Sequence, residues 1–442
     1  MRIGIEMEER HRDIQSEQIH GLERKFRDFL KDVSLYRETK KDHEYMGLVH
    51  TKSKATLQWG DTAFREAITA TQKLCPNISR RRIGTALRDL MVETVKSQVE
   101  RGDLQLGEEI ESVADVLDLS KIEGELSKLV QSLNEDAQPQ IVLVPVEGLV
   151  LNVKSLIIGR VAFYARDPKA NELDQALQNL EERKVNIKSV KEDLHDASCY
   201  AKVETVGDDD FARNDAVRQT VEATQILNLY LSSSRHQPHW SAIQIARVII
   251  SQTKTGDIRD AVMGYHQSFP THRPLELDRN KMQQMLEWGL EELVACFQPE
   301  NKSDIAQRIR RAVTWYSRAV DANSPEEKFV NLTTALESLL VGDEGKGPYA
   351  TTGSISQNIG ERAAFLRGDN FENRMRIEKI AKDLYALRSA IVHRGESVPL
   401  GELVQMDELV AQATLTFLRH KFTSWSAFQQ WVAKQRYDEK TA

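Results

Sequence analysis

Near the C-terminus the chain reads LYALRSAIVHRGES over residues 384–397, with Arg388 and His393 five apart and Arg394 and Gly395 directly after. Histidine gives and takes protons near neutral pH, and arginine grips a phosphate through paired N–H donors. Together they suit acid–base chemistry on a phosphodiester. Their spacing does not suit a site on one helical face. At ~100° per residue the two side chains diverge by about 140°. Tyr385, Ser389 and His393 instead recur at i, i+4 and i+8, forming one polar row. A plainer reading uses no chemistry: cations in a last helical turn satisfy loose carbonyls and the negative end of the helix dipole.

These residues need a helix to hold them, and FENRMRIEKIAKDLYALRSAIVH (371–393) supplies one. Ile377, Ile380, Leu384, Leu387 and Ile391 recur three and four apart as a narrow core stripe. Arg388 lies on the flank of that stripe, about 60° from its centre, and His393 falls nearly opposite. Gly395 is the expected stop. Further helices are expected at 304–322, at 326–342 behind a Ser324 cap and Pro325, at 354–368, and over 402–435 as one helix or two. Short loops make residues 301–442 a helical bundle. Glu337, set among Ala335, Leu336, Leu339 and Leu340, is a half-buried carboxylate; an ion pair with Arg388 is its preferred role and a plain surface position the alternative.

The stretch LYALRSAIVHRG resembles the signature of the HEPN superfamily, an arginine and a histidine four to six residues apart on an all-helical bundle. The surroundings are more specific. KFVNLTTALESLLVGDE, ERAAFLRG and LYALRSAIVHRG together resemble the Apea-like branch of that superfamily. Ala335, Leu336, Glu337, Leu339 and Leu340 match its Ala-Leu-Glu-x-Leu-Leu helix, Arg388 and Ser389 its Arg-Ser pair, and Ile391, Val392 and His393 its Ile-Val-His. Arg394 departs from the pattern, in which glycine follows the histidine directly. The likeness spans roughly residues 138–435 and is strongest at 326–396.

This resemblance implies a metal-independent endoribonuclease with no cofactor. Two bundles would pair so that both arginines and both histidines line one composite cleft. His393 would help to activate the ribose 2′-OH and Arg388 would hold the scissile phosphate, leaving a 2′,3′-cyclic phosphate. Ser389, Glu337, Tyr385 and Arg394 would support the pair. Relatives implied by the likeness include toxins and anti-phage factors that degrade RNA, and inactive members that serve as binding modules. Two functions therefore stand: a homodimeric ribonuclease in prokaryotic defence or a toxin role, or a non-catalytic module that dimerises and senses a ligand through its N-terminal domains.

Upstream the organisation is α+β. Residues 1–136 read mainly helical, with amphipathic stretches at 83–102 and 111–134, a short strand near 45–50, and no nameable role. After the polar NEDAQPQ linker, residues 137–300 form a β-containing domain followed by helices. Strands are expected over 140–152, 155–165 and 199–206, and helices over 171–194, 208–232 and 280–297. From Gly207 onward the chain reads helical almost throughout.

Bulk properties narrow the classes. The 442 residues carry a net charge of −7, which argues against a generally polyanion-coating surface. Residues 301–442 hold 20 Lys and Arg against 18 Asp and Glu, so the acidity lies upstream of the bundle. Three scattered cysteines make neither a disulfide framework nor a zinc site. The N-terminal MRIGIEMEERHRD has no apolar h-region, and no apolar run suits a membrane span, so a cytoplasmic location is expected. Asp208, Asp209 and Asp210 suit a helix N-terminus better than a metal. His236 and His239 read as a loop or partner contact rather than a metal site, and Lys52, Lys54 and Arg80–Arg82 as solvated basic patches. GDEGKG (342–347) lacks the spacing of a phosphate-binding loop. No metal site is expected.

Overall fold

The computed structural model describes residues 2–36, 47–50, 56–100, 112–115, 117–166, 172–182, 198–232, 244–245, 248–252, 258–263, 275–322, 324–342 and 354–438. Lys52, Lys54, His236, His239, residues 343–347 of the glycine-rich stretch and residues 183–194 of the expected 171–194 helix lie outside them. The chain divides into two compact units, Met1–Gln140 with Thr205–Asp215, and Ile141–Glu204 with Ala216–Ala442.

In the first unit, helix α1 (Arg2–Lys31) is followed by strands β1 (Val33–Tyr36), β2 (Gly47–His50) and β3 (Thr56–Trp59), then α2 (Asp61–Leu74), α3 (Arg80–Glu100) and α4 (Ile122–Asp136). The strands form an antiparallel sheet in the order β1-β3-β2, more strand than the one short segment expected. Aromatic packing anchors the core: Phe29 meets Phe64 at 4.8 Å and Trp59 at 6.3 Å between ring centroids, the latter edge to face. The helix expected over 111–134 begins only at Ile122. Gln98 explains this, since its amide exchanges two hydrogen bonds of 3.0 Å with the Asp118 backbone. The Asp118 carboxylate also accepts from Ser120 N, fixing a turn where the helix would run.

The second unit is built on β4 (Gln138–Glu147), β5 (Leu149–Leu151), β6 (Ser155–Ile158), β7 (Val161–Ala165) and β8 (Cys199–Gly207), where the sequence reads β. Gly148, at φ 73°, divides the expected 140–152 strand, and Gly159, at φ 61°, turns the β6–β7 hairpin. After helices α5 (Glu172–Glu182) and α6 (Asp209–Ser232) come four short strands: β9 (Gln244–Ile245), β10 (Val248–Gln252), β11 (Ile258–Met263) and β12 (Leu275–Leu277). They correct the reading of the chain past Gly207 as helical almost throughout. β10 and β11 extend the main sheet, whose order is β11-β10-β4-β8-β7-β6 with β9 also on β4, and β12 pairs parallel with β5. Their segments are too short to carry a periodicity, and tertiary pairing makes them strands.

The helix expected over 280–297 is two, α7 (Arg279–Glu287) and α8 (Leu290–Phe297). Gly289 breaks it at φ 88°, a left-handed backbone that glycine adopts without strain. The bundle follows: α9 (Asp304–Val320), α10 (Pro325–Leu340), α11 (Ile355–Arg367), α12 (Phe371–Arg394), α13 (Leu400–Arg419) and α14 (Trp425–Asp438). Side-chain caps set these starts. Ser303, Ser324, Ser354 and Asn370 each accept a hydrogen bond from the backbone three residues on, and Pro325 stands at the first position of α10. The 402–435 stretch is two helices, parted near Lys421, whose φ is 51°. No described helix is long and apolar enough to cross a membrane.

Candidate functional site

Helix α12 carries most of the candidate residues. Asn370 caps its start, and Gly395 ends it at φ 67° and ψ 29°, returning its N–H to the Ile391 carbonyl at 3.0 Å. Its buried residues are Ile377, Ala381, Leu384, Ala390 and Ile391. Ile380 and Leu387, placed in the core stripe by the sequence, are only half-buried. The reason is a small-residue contact. A Cβ on Gly360 of α11 would fall 2.9 Å from Lys382 Cγ and 3.2 Å from the Glu378 carbonyl, so α11 lies close against α12. Ala381 takes part of the core that the longer Ile380 and Leu387 were expected to fill. The buried face is thereby rotated toward Arg388.

Arg388 is accordingly half-buried, and its Nε is shielded from solvent with no hydrogen-bond partner among the described residues. Next to it, the Tyr385 hydroxyl bonds to the Glu337 carboxylate on α10. Burial, then that hydrogen bond and the Glu337 charge, push the Tyr385 phenol up to about 12, against a smaller opposing pull from Arg388. Glu337, Tyr385 and Arg388 are therefore brought together. The expected direct ion pair does not form: Glu337 is met by the Tyr385 hydroxyl, and Arg388 acts on the group through its charge.

The other half of the row is open. Ser389 and His393 are exposed, and the His393 imidazole has no partner among the described residues. Arg394 is also exposed and turns away to Glu396, at 2.6 Å. Beyond the helix end, Val398 N donates to Glu326 Oε1 on the first turn of α10 at 3.4 Å. One chain thus sets Arg388 and His393 on different sides of α12, about 140° apart on the helical wheel.

Two polar groups that the sequence did not point to hold the frame. Tyr316 of α9 donates to Asp407 of α13 at 2.6 Å, and Lys328 of α10 stands 3.7 Å from the same carboxylate. Tyr316 is fully buried, and burial with the Asp407 charge drives its phenol well above the usual range. Arg362 of α11 is fully buried and donates to the Leu340 carbonyl at the end of α10. The Arg308 guanidinium sits 3.7 Å from the Trp425 ring centroid and donates to the Val341 carbonyl. Residue type marks Lys328 and Arg362 as surface, so only the fold reveals their burial.

The remaining candidates have structural work. Asp208 accepts from Phe211 N at 2.8 Å and from the Ser79 hydroxyl at 2.7 Å, capping α6 and anchoring the start of α3. Asp210 pairs with Arg213, and Asp209 bonds Gln140. Arg82 pairs with Asp136 at 2.7 Å, and Arg80 donates to Thr69. Cys75, Cys199 and Cys296 are buried, unpaired thiols whose burial raises their pKa values. Compared with protein-family models, with curated proteins and with solved structures, the chain matches none.

Proposed function

We propose that the protein is a metal-independent endoribonuclease of the HEPN type, acting as a homodimer in prokaryotic anti-phage defence or a toxin role. The observation that carries this reading is the division of Arg388 from His393 around α12. Two residues of the right chemistry sit on one helix, yet cannot converge on one phosphate within a single copy. A two-fold related copy brings each arginine toward the other copy's histidine.

In such a cleft His393 takes the proton of a ribose 2′-OH. The 2′ oxygen attacks the adjacent phosphorus, the bond to the 5′ oxygen breaks, and that oxygen takes a proton from water, a proton that the His393 imidazolium replaces. A 2′,3′-cyclic phosphate and a 5′-OH remain. The Arg388 guanidinium bonds the non-bridging oxygens and neutralises the charge that builds there. Glu337 and Tyr385 position that guanidinium, and Ser389 stands one turn before His393 to bond the phosphate or the imidazole.

A second reading has its own support. Arg388 is half-buried beside a carboxylate, which is also how a packed structural arginine sits. On that reading the bundle is a dimerising, ligand-sensing module without chemistry. Incubation of total RNA with the purified protein in EDTA separates the two. The ribonuclease reading expects new fragments with cyclic-phosphate ends from wild type and none from His393→Ala. Identical RNA from both would leave the binding module.

A further inference from the structure

The first unit holds a side-chain cluster unrelated to α12. His20 and Glu23 lie one turn apart on the same face of α1, and Glu123 stands in the first turn of α4. The His20 Nδ1 is 3.1 Å from Glu123 Oε1 and 3.8 Å from Glu23 Oε2. All three donor atoms fall within 4.8 Å of one another. We propose that His20, Glu23 and Glu123 bind a divalent transition-metal cation, of which Zn2+ is the representative, and that the cation staples α1 to α4.

Three features go beyond a chance surface ion pair. The first is the arrangement of Glu23. Arg27 holds its Oε1, through Nη2 at 2.6 Å and Nε at 2.8 Å, and also donates to the Leu119 carbonyl at 3.1 Å. Anchored this way, Glu23 presents Oε2 to His20, as a second group orients a ligating carboxylate. The second is geometry. Donors each ~2.1 Å from a cation at tetrahedral or octahedral angles lie about 3.0–3.4 Å apart. The His20–Glu123 distance already falls in that range, and the His20–Glu23 distance closes to it by a small side-chain rotation. The third is chemistry. One imidazole nitrogen with two carboxylate oxygens suits Zn2+, Mn2+ or Co2+ better than Cu(I), which wants sulfur, or Ca2+, which wants more oxygens. Glu23 is mostly buried, while His20 and Glu123 are more open, which leaves coordination positions for water.

The cation joins two segments a hundred residues apart in sequence, so its binding adds to the stability of this unit. Its role is separate from the proposed RNA cleavage, which needs no metal. The test is calorimetric titration of the chelator-stripped full-length chain with ZnCl2, comparing wild type with Glu123→Gln and His20→Gln. Both variants change exposed side chains, and circular dichroism checks that they fold. The expected result is one site per chain in wild type that is at least tenfold weaker in each variant, with a zinc-dependent rise in unfolding temperature only in wild type. Equal binding by wild type and variants would overturn the proposal, pointing to others of the chain's 11 histidines. So would the absence of zinc binding to wild type.

Discussion

Two regions of one helix behave differently. Around Arg388, α12 is packed: Glu337 and Tyr385 meet, and the arginine Nε is shielded. Around His393, one and a half turns on, the helix is open, and the imidazole has no partner among the described residues. A residue that is held tolerates little change in the fold around it. A residue that is free tolerates much, and is available to something outside the chain. On the proposed ribonuclease reading, the pair would combine a packed cation with an exposed imidazole, a division of labour as much as a distance.

The comparison can be broken at each end. The largest effect is expected at the open end, where His393→Ala should lower RNA cleavage by about a hundredfold or more, the usual worth of a positioned acid or base. The same change should move the unfolding free energy by less than about 0.5 kcal/mol, as exposed substitutions do. A stability loss comparable to that at Arg388 would show that His393 is packed after all. At the held end, Arg388→Ala should cost both activity and stability. Removing it strips a half-buried Glu337 of its nearby cation, an effect of about 1–3 kcal/mol measured by denaturant unfolding. Arg388→Lys should recover most of the stability and little of the cleavage, because a point charge replaces a planar fork.

Smaller effects sharpen the frame. Gly360→Ala should destabilise the bundle by about 1–3 kcal/mol, since its Cβ meets Lys382 and the Glu378 carbonyl. Tyr385→Phe should cost about 0.5–1.5 kcal/mol near neutral pH by removing the hydrogen bond to Glu337. Its pH dependence has a definite sign. Burial and the Glu337 carboxylate push the folded phenol up from the ordinary tyrosine value of 10 to about 12, so folding favours the protonated form. That stability is complete below pH ~10 and lost as pH rises through ~12. Alkaline unfolding curves of wild type and Tyr385→Phe should therefore converge across that window. Curves that stay parallel would deny Tyr385 its place beside Glu337.

The sequence carried the local rules well. Ser324 before Pro325 and Gly395 after α12 are short-range signals, and chain-local hydrogen bonds obey them. It also placed His393 outward, because helical geometry alone decides that. What it could not carry were the choices made by neighbours. Whether Ile380 or Ala381 fills the core depends on Gly360 of another helix. Whether Glu337 meets Arg388 or Tyr385 depends on how α10 and α12 sit. The strands of residues 244–277 are too short to announce themselves, and the Lys328–Asp407–Tyr316 group joins three helices. His20 and Glu123 are likewise neighbours only in the fold.

The central claim is that Arg388 and His393 act together only across two copies. Co-expression of Arg388→Ala with His393→Ala tests it most directly, using differently tagged chains and purifying the mixed pair. Each variant alone should be inactive, while the mixed dimer keeps one intact arginine facing one intact histidine. The account predicts that the mixed dimer regains RNA cleavage well above either variant. A mixed dimer that forms and stays inactive, or a wild-type chain that cleaves as a monomer, would contradict it.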